Sequence, residues 1–376
     1  MFRCRICSSE LSRSLLELKN VPAAAQKMPA TREELAADKG IDLSICQCPE
    51  CGVLQHTATP VSYFREVIRA SGISEEMKQF RLEQFHSWIL RNNLTGKKVF
   101  EAGCGKGEYL ELMRDSGADV AGTEFGDETA AKCREAGLKV FKLFFETGEE
   151  KIPDSPYDGF FVLNFLEHIP DIPRFLAGIR NNLTENAPGI IEVPNLDMIL
   201  ANGQVTEFST EHIYYFTESN LRNLLQNHGF EVVSCKKIWY NYIISAEVRK
   251  RPLLSLEHFA ETGKQLSCGI RQFISCCGKT VFWGAGHQAL TTLALSGLTT
   301  EEICYVIDSS PEKQNRYTFT THIPIVGPDI LNDESLKGVI VACGGYSDEV
   351  ISIIRNRFPR QLHLGIMREN KLEILQ

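Results

Sequence analysis

The sequence predicts an α/β protein in three parts: a small cysteine-rich module, a large parallel sheet with a ligand site at its first strand, and a second α/β unit. Three observations predict this organisation. Two Cys-x-x-Cys pairs stand near the N-terminus, a strand–glycine–helix pattern begins at Val99, and a second such pattern begins at Thr280. A chain of 376 residues suits two or three domains. We place the parts at residues 1–65, 66–250 and 251–376.

The N-terminal module is predicted from its cysteines. Cys4 and Cys7 form one Cys-x-x-Cys pair, and Cys48 and Cys51 form a second pair further along the chain. Four thiolates at this spacing can surround a Zn²⁺ ion tetrahedrally and leave no open position for catalysis. We therefore expect structural zinc, whose binding is coupled to folding of the module. Reduced core thiols or redox pairs are the alternative, and Cys46 is an extra thiol near the second pair.

A ligand site is predicted where an apolar strand ends in alternating glycines. Glu101 precedes Gly103, Gly105 and Gly107, and a helix begins directly after them. Glycines let a ligand approach the backbone at a helix N-terminus and permit left-handed dihedral angles. An acidic residue ahead of the glycines is the pattern of S-adenosylmethionine (SAM) methyltransferases, whereas a phosphate-binding loop carries its lysine after them. We therefore predict a class I SAM-methyltransferase sheet with SAM as the cofactor.

Two further residues are predicted to bind this cofactor. Glu124 ends the second strand about twenty residues after the glycines, a position that suits hydrogen bonds to ribose hydroxyls. A solvent-facing strand-end carboxylate is the alternative. Phe145 follows the third strand and is predicted to flank the adenine ring, with a core position as the alternative.

The predicted catalytic residues follow the fourth and fifth strands. Asn164 and His168 come after a strand ending near Leu163, and ligands of open α/β sheets bind beyond the carboxyl ends of strands. Glu211 and His212 stand in the polar loop after the fifth strand. A histidine suits proton removal because its free pKa lies near neutral pH. We assign His212 as the base and Glu211 as the residue that orients it. The alternatives are a structural role for His168 and a lid-anchoring role for the Glu211–His212 pair.

The remaining segments complete the sheet and form the third part. Residues 230–237 and 239–248 predict an antiparallel hairpin that closes a seven-stranded sheet. Residues 280–289 repeat the strand–glycine–helix theme, and the next strand ends at Asp308. This pattern predicts a Rossmann-like C-terminal domain, which either binds a nucleotide or only packs against the catalytic part.

The composition bounds the class of protein. Hydrophobic residues make up 43% and charged residues 23%, as in ordinary soluble proteins. The net charge of −8 argues against a nucleic-acid partner. We identify no apolar run that could span a membrane and no secretory leader. Many of the 13 cysteines stand alone in apolar segments, which suits a reducing compartment, so we expect a cytoplasmic protein.

These blocks, taken in order, resemble the sugar C-methyltransferases of deoxysugar biosynthesis, with the tetronitrose C-methyltransferases as the nearest type. The resemblance covers nearly the whole chain. The matching motifs are Cys4/Cys7 with Cys48/Cys51, Glu101-x-Gly103-Cys104-Gly105-x-Gly107, Asn164-x-x-x-His168-Ile169-Pro170, Glu211-His212, Gly284-Ala285 and Asp308-x-x-Pro311-x-Lys313-Gln314-Asn315-Arg316, followed by His322-Ile323-Pro324. The chain departs from the family at Ser209, where the family has tyrosine, and at Asn241-Tyr242-Ile243, where the family has His-Gly-Gly.

The resemblance implies a reaction. A nucleotide-linked keto-deoxysugar would lose the proton beside its ketone, and the enediolate would attack the methyl group of SAM. The Glu211–His212 pair would act at proton abstraction, with Asn164 and His168 at substrate-contacting positions. Two other functions stay open: O- or N-methylation of a natural product or sugar, and a non-catalytic SAM-binding scaffold.

Overall fold

The computed structural model describes residues 2–11, 13–66 and 72–375. Two compact units make up the chain, Met1–Pro252 and Leu253–Gln376. The predicted N-terminal module and the predicted methyltransferase domain both fall inside the first unit. Among the described residues, no helix combines the length and apolar character needed to cross a membrane.

The first unit opens with a small antiparallel sheet. Its strands are β1 Ser14–Val21, β2 Ile41–Gln47 and β3 Leu54–His56, and the short helix α1 Arg32–Ala37 connects β1 to β2. Helix α1 begins at a capping box, in which Thr31 and Glu34 each accept a backbone N–H of the other residue.

The larger sheet of this unit has seven strands. In chain order its strands are β4 Lys98–Ala102, β5 Asp119–Glu124, β6 Val140–Lys142, β7 Gly159–Leu163, β8 Pro188–Pro194, β10 Phe230–Ile238 and β11 Ile243–Lys250. The short strand β9 Tyr214–Tyr215 lies between β8 and β10 in the sequence but is not part of this sheet. The helices are α2 Glu75–Arg91, α3 Glu108–Asp115, α4 Asp127–Glu135, α5 Ile172–Asn181, α6 Leu196–Asn202 and α7 Glu218–Asn227. The spatial order is β10-β11-β8-β7-β4-β5-β6. Strands β4 to β8 pair in parallel, and the β10–β11 hairpin is antiparallel, which confirms the predicted class I methyltransferase sheet.

The middle strands of this sheet are buried on both faces. Val99 and Phe161 pack in the core on one face, while their neighbours Phe100 and Phe160 pack in the core on the other face. Successive side chains along a strand point to opposite faces of the sheet, so a continuous run of apolar residues contributes side chains to the cores on both faces. This burial fixes the carboxyl ends of β4 and β7, from which the glycine loop and Asn164 follow.

A buried ion pair joins α2 to β8. The Arg81 guanidinium lies 2.6 Å from the Glu192 carboxylate, and both side chains are 0% exposed. Gln84 and Ser245 donate to the other carboxylate oxygen at 2.7 and 2.8 Å. Hydrogen bonds of this kind are required for a buried charge pair to offset its desolvation.

Arg81→Met is expected to destabilise the first unit by about 3–5 kcal/mol, because it leaves Glu192 buried without its counter-charge. Arg91→Met on the same helix removes a solvent-exposed ion pair with Glu247 and should cost at most about 1 kcal/mol. Urea unfolding of the two variants measures the difference. Equal costs for both variants would contradict the structural account.

The N-terminal sheet gains its fourth strand from the methyltransferase part. Strand β9 pairs antiparallel with β3, with Leu54 opposite Tyr215 and Gln55 opposite Tyr214. The loop that carries Glu211 and His212 leads directly into β9. The cysteine-rich module therefore holds the end of this loop through backbone hydrogen bonds.

The second unit is a separate α/β fold. Its strands are β12 Thr280–Trp283, β13 Ile303–Ile307, β14 Arg316–Tyr317, β15 Pro324–Val326, β16 Gly338–Val341, β17 His363–Arg368 and β18 Lys371–Leu375, and its helices are α8 Glu257–Cys277, α9 His287–Leu295 and α10 Ser347–Arg357. The sheet order is β14-β15-β13-β12-β16-β17-β18, with antiparallel pairing only at the two edges. The parallel strands thus have the third-second-first-fourth-fifth order of a doubly wound half, as predicted.

Candidate functional site

A cavity of about 440 Å³ lies beyond the carboxyl ends of β4, β7 and β8 in the first unit. This is the edge of a parallel sheet at which α/β proteins bind ligands. One end is formed by the glycine loop and the start of α3, and the other by the segment after β7, the loop before β9 and the β10–β11 hairpin. The lining residues are Gln26, Met77, Glu101, Gly103, Cys104, Gly105, Lys106, Glu108, Tyr109, Leu163, Asn164, Phe165, Glu167, His168, Pro194, His212, Trp239, Tyr242 and Ile243.

The glycine loop has the open backbone that a bound nucleoside would need. Gly103 has φ +75°, and a Cβ placed there would lie 2.4 Å from Cδ1 of Phe165. Gly107 is the N-cap of α3 with φ +80°, and its Cβ would lie 2.5 Å from Leu138. A larger residue would be strained and would collide at both positions. This cradle and the cavity beside it fit the adenosyl part of SAM.

Gly103→Ala is expected to weaken SAM binding by roughly tenfold to a hundredfold, because the added methyl group forces Phe165 to move. Gly96→Ala is the matched control: Gly96 has φ +68°, but no heavy atom lies within 4 Å of its Cβ position. Both variants carry the dihedral penalty of a left-handed alanine, and only Gly103→Ala adds the collision. Calorimetric titration with SAM compares them, and equal affinities would contradict this account of the loop.

The two predicted cofactor carboxylates have different surroundings. Glu101 is 3% exposed and lines the large cavity. Glu124 borders a separate pocket of about 10 Å³, and its carboxylate accepts the N–H groups of Gly105 at 3.0 Å and Gly126 at 2.8 Å. Burial raises the pKa of Glu124. In this structure Glu124 therefore braces the glycine loop.

The structure corrects the assignment of Phe145. This side chain is 1% exposed, and its ring packs against Phe100 and Phe175 in the core. The neighbouring Phe144 is half-buried and faces Phe125, with ring centroids 6.4 Å apart. Both rings border the small pocket beside Glu124, but Phe145 is buried in the core and Phe144 keeps part of its surface exposed.

Two imidazoles meet in the large cavity. The rings of His168 and His212 lie edge to face with centroids 4.8 Å apart. Nδ1 of His168 lies 2.8 Å from the backbone oxygen of Glu211, which can only accept, so Nδ1 carries the proton and Nε2 is left as an acceptor. Burial, and then the neighbouring His212, lower the pKa of His168 to about 3. Burial also lowers the pKa of His212, so both rings are neutral at pH 7.

Within the part of the chain that the structure describes, the hydrogen bonds of the Glu211 carboxylate go to groups other than His212, which corrects its predicted role as the residue that orients His212. Its Oε1 accepts the backbone N–H groups of Ala25 at 2.9 Å and Gln26 at 2.8 Å, and the hydroxyl of Tyr63 at 2.5 Å. These partners belong to the N-terminal part of the chain. The carboxylate therefore fastens the segment around Gln26, which lines the cavity, to the loop that carries His212.

The loop itself is held by nearby polar groups. The backbone N–H of His212 donates to Oγ of Ser209 at 3.3 Å, and the Tyr215 hydroxyl donates to the backbone oxygen of Ser209 at 3.1 Å. The position at which the resembling family has tyrosine is thus occupied here by a turn residue that supports His212.

Several side chains that line the cavity were not among the predicted site residues. Glu167 precedes His168 and lines the cavity, while Trp239 and Tyr242 enter it from the β10–β11 hairpin. A signal for Glu167 was present, because it is an acid inside the otherwise apolar run around Leu166. Trp239 carried no such signal, since its approach depends on a left-handed turn with φ +46°, whereas Tyr242 lies in the segment at which the chain departs from the resembling family.

Asn164 occupies an unusual backbone conformation. Its φ is +50°, and its N–H donates to the backbone oxygen of Glu192 at 2.9 Å. Oδ1 of Asn164 is buried in the cavity wall without a hydrogen-bond partner among the described residues. A buried, unpartnered amide oxygen is costly unless a ligand completes it.

The four predicted metal ligands are brought together. Sγ of Cys4 lies 3.7 Å from Sγ of Cys51, and Sγ of Cys7 lies 3.4 Å from Sγ of Cys48. Sulfurs around a tetrahedral zinc at about 2.3 Å would be separated by about 3.8 Å, so the spacing fits. Cys46 is not part of this cluster.

In the second unit, the carboxylate of Asp308 forms hydrogen bonds to the glycine turn after β12. The Asp308 carboxylate accepts the N–H groups of Ala285 and Ser310 at 2.9 Å and pairs with Lys313 at 2.9 Å. The strand-end acid of this unit thus braces the glycine turn, as Glu124 does in the first unit.

Comparison with known proteins finds methyltransferase domains in this chain. A methyltransferase domain model matches residues 71–235, and a model described as the C-methyltransferase C-terminal domain matches residues 254–357. The chain is 24% identical to the C-methyltransferase NovU of Streptomyces niveus over 93% of this chain and 91% of that protein. It is 28% identical to a probable S-adenosylmethionine-dependent methyltransferase of Mycolicibacterium smegmatis over 43% of this chain and 62% of that protein.

Among solved structures, the magnesium protoporphyrin IX methyltransferase of Synechocystis with bound SAH aligns with 49% of this chain and 90% of its own, at 16% identity and a TM-score of 0.38. The chain is thus a SAM-dependent methyltransferase with a C-methyltransferase-type C-terminal domain, and it is similar to a C-methyltransferase along nearly its full length.

Proposed function

We propose that this enzyme transfers the methyl group of SAM to a carbon atom of a nucleotide-linked keto-deoxysugar. The observation that carries the proposal is the neutral His168–His212 pair in the same cavity as the glycine loop. An oxygen or nitrogen nucleophile brings its own lone pair, whereas a carbon nucleophile must first lose a proton to a base. The C-methyltransferase NovU, which matches along nearly the full chain, supports carbon as the acceptor.

The cavity residues divide into two groups in this proposal. Gly103, Gly105 and Glu101 would hold SAM at the end of β4, and SAM would supply an electrophilic methyl group. His212 would remove the proton from the carbon beside the ketone. Its lowered pKa keeps the imidazole unprotonated, which is the form a base requires.

His168 and Asn164 would position the sugar. Because Nδ1–H of His168 is engaged by Glu211, Nε2 is available to accept a hydroxyl hydrogen of the substrate. Oδ1 of Asn164 would accept a second hydroxyl and so gain its missing partner. Two fixed acceptors would set the distance between the acidic carbon and the His212 imidazole.

Incubation with methyl-¹³C-labelled SAM and a panel of dTDP- and GDP-linked keto sugars tests the proposal. We expect one sugar to gain the labelled methyl group with the ¹³C shift of a carbon-bound methyl. Its des-keto analogue should gain none, because no ketone acidifies the neighbouring proton. Methylation of both sugars at the same rate would overturn the carbanion mechanism.

An O-methyltransferase is the second candidate, favoured by Ser209 at the position where the resembling family has tyrosine. The ubiquinone biosynthesis O-methyltransferase of Aliivibrio fischeri is 38% identical over 21% of this chain. The same labelling experiment separates the two functions, since an oxygen-bound methyl carbon resonates far downfield of a carbon-bound one.

A further inference from the structure

The large cavity contains an acidic side chain that the proposed proton abstraction leaves without a role. Glu167 lies in the 3₁₀ turn Leu166–His168 that follows β7, is 1% exposed, and lines the cavity. Its Oε2 is buried and has no hydrogen-bond partner within the described part of the chain. A buried oxygen of this kind is costly to leave unpaired, so it points to a ligand group that completes it.

Among the described residues, no lysine or arginine lies within ion-pair distance of the Glu167 carboxylate. The imidazole of His168 lies 3.9 Å from this carboxylate and is neutral. A buried carboxylate without a counter-charge is much less stable than the neutral acid. Burial accordingly raises the pKa of Glu167 to about 8. Near neutral pH this side chain therefore carries an O–H group.

We propose that Glu167 is a further catalytic residue, a neutral acid whose O–H donates a hydrogen bond to the substrate oxygen that becomes negative when His212 removes the adjacent proton. This inference rests on the proposed function. As the C–H bond breaks, its proton goes to His212 and its electron pair forms a carbon–carbon double bond. The carbonyl π pair moves onto oxygen, where Glu167 stabilises it without giving up its proton.

The final step restores the ketone. The electron pair on oxygen returns as the carbon attacks the methyl group of SAM, and the sulfonium leaves as a neutral thioether. A preorganised donor aimed at the developing oxyanion lowers the barrier because it needs no reorientation during the reaction. In the resembling family a tyrosine stands two positions before the Glu-His pair. The serine at this position, Ser209, has a shorter side chain, so its hydroxyl group stays closer to the backbone than a tyrosine hydroxyl would. Glu167 supplies a donor from the turn that follows β7.

A divalent cation is the competing occupant of the same cluster. The ligand atoms of Glu167, His168 and His212 all lie within 4.8 Å of one another. The 3.9 Å between Nε2 of His168 and Oε1 of Glu167 exceeds the roughly 3.0–3.4 Å that adjacent ligands of a metal at about 2.1 Å would show. Metal binding would also occupy His212, the proposed base. The geometry thus favours the neutral acid.

Two substitutions of Glu167 distinguish these roles. Glu167→Gln keeps a neutral N–H donor of similar shape, so we expect kcat for methyl transfer to stay within about tenfold of the original enzyme. Glu167→Ala removes the donor, and kcat should fall by about 10²–10³-fold. If Gln is as damaging as Ala, or if EDTA abolishes activity and Mg²⁺, Mn²⁺ or Zn²⁺ restores it, Glu167 acts as an anion and the proposal is overturned.

Infrared spectroscopy decides the protonation state without any sugar substrate. Difference spectra of the full-length enzyme against Glu167→Gln, recorded at pH 7, should show the carbonyl stretch of a protonated carboxylic acid. A carboxylate band in its place would overturn the proposal even if Glu167→Ala fails to fold. If the acid band is present but no keto sugar is methylated, the proposed function fails, and the neutral state of Glu167 stands separately.

Discussion

Replacement of His212 by glutamine is expected to lower kcat for methyl transfer by about 10³-fold while SAM affinity stays unchanged. Glutamine fills a similar volume and can form hydrogen bonds, but it cannot accept a proton from carbon. His212 lies at the end of the cavity opposite the glycine loop, so SAM binding does not depend on it. Formation of S-adenosylhomocysteine in the presence of the accepted sugar measures kcat, and calorimetry measures SAM binding.

His86→Gln is the matched control, because His86 is exposed on α2. It should leave both quantities unchanged. Loss of SAM binding in His212→Gln would mean that this residue shapes the cofactor pocket. Retention of activity within tenfold would mean that another group removes the proton.

The pH dependence of the reaction follows from the same residue. The base must be neutral, and burial lowers the pKa of His212 below its ordinary value of 6.5. A lower pKa keeps the active form populated at lower pH, so the fall of kcat/KM in acidic solution should have its midpoint below pH 6.5. A midpoint at or above pH 6.5 would show that His212 is not shielded as the structure indicates.

Loss of the cysteine cluster is expected to remove both metal and activity. We propose that the chain binds one Zn²⁺ through Cys4, Cys7, Cys48 and Cys51, and that Cys48→Ser releases it. In zinc-finger peptides such binding contributes on the order of 10 kcal/mol to folding, so the N-terminal sheet should lose its order. The effect should reach the cavity because β3 pairs with β9, next to the loop that carries His212.

Cys46→Ser is the control for this prediction. Cys46 is 5% exposed and stands two residues before Cys48, but it lies outside the cluster. Zinc per chain, measured by mass spectrometry, should fall from one to near zero in Cys48→Ser and stay at one in Cys46→Ser. The opposite pattern would assign Cys46 as the ligand in place of Cys48.

The parts of the fold that sequence predicts best are those fixed by local rules. The buried run before Gly103, the alternating glycines and the acid at Glu124 follow from strand burial and turn geometry, and the structure places them at neighbouring strand ends. The same applies to the second unit, where Asp308 follows β13. Short-range patterns therefore specify both sheets and the general position of the cavity.

Long-range partners could not be read from the sequence. Glu211 is adjacent to His212, which suggests a pair, yet its carboxylate binds Ala25 and Gln26 from a distant part of the chain. The choice between Phe144 and Phe145 depends on which side of an extended segment faces the core. Such features depend on how segments pack, and a single sequence does not encode them in any local pattern.

The removal of hydrogen from carbon is the central claim, and isotope exchange tests it most directly. The accepted keto sugar should be incubated in D₂O with enzyme saturated with S-adenosylhomocysteine, which blocks methyl transfer, and followed by proton NMR. The account predicts loss of the signal beside the ketone with the original enzyme and none with His212→Gln. Absence of exchange with the original enzyme, or equal exchange with both, would contradict it.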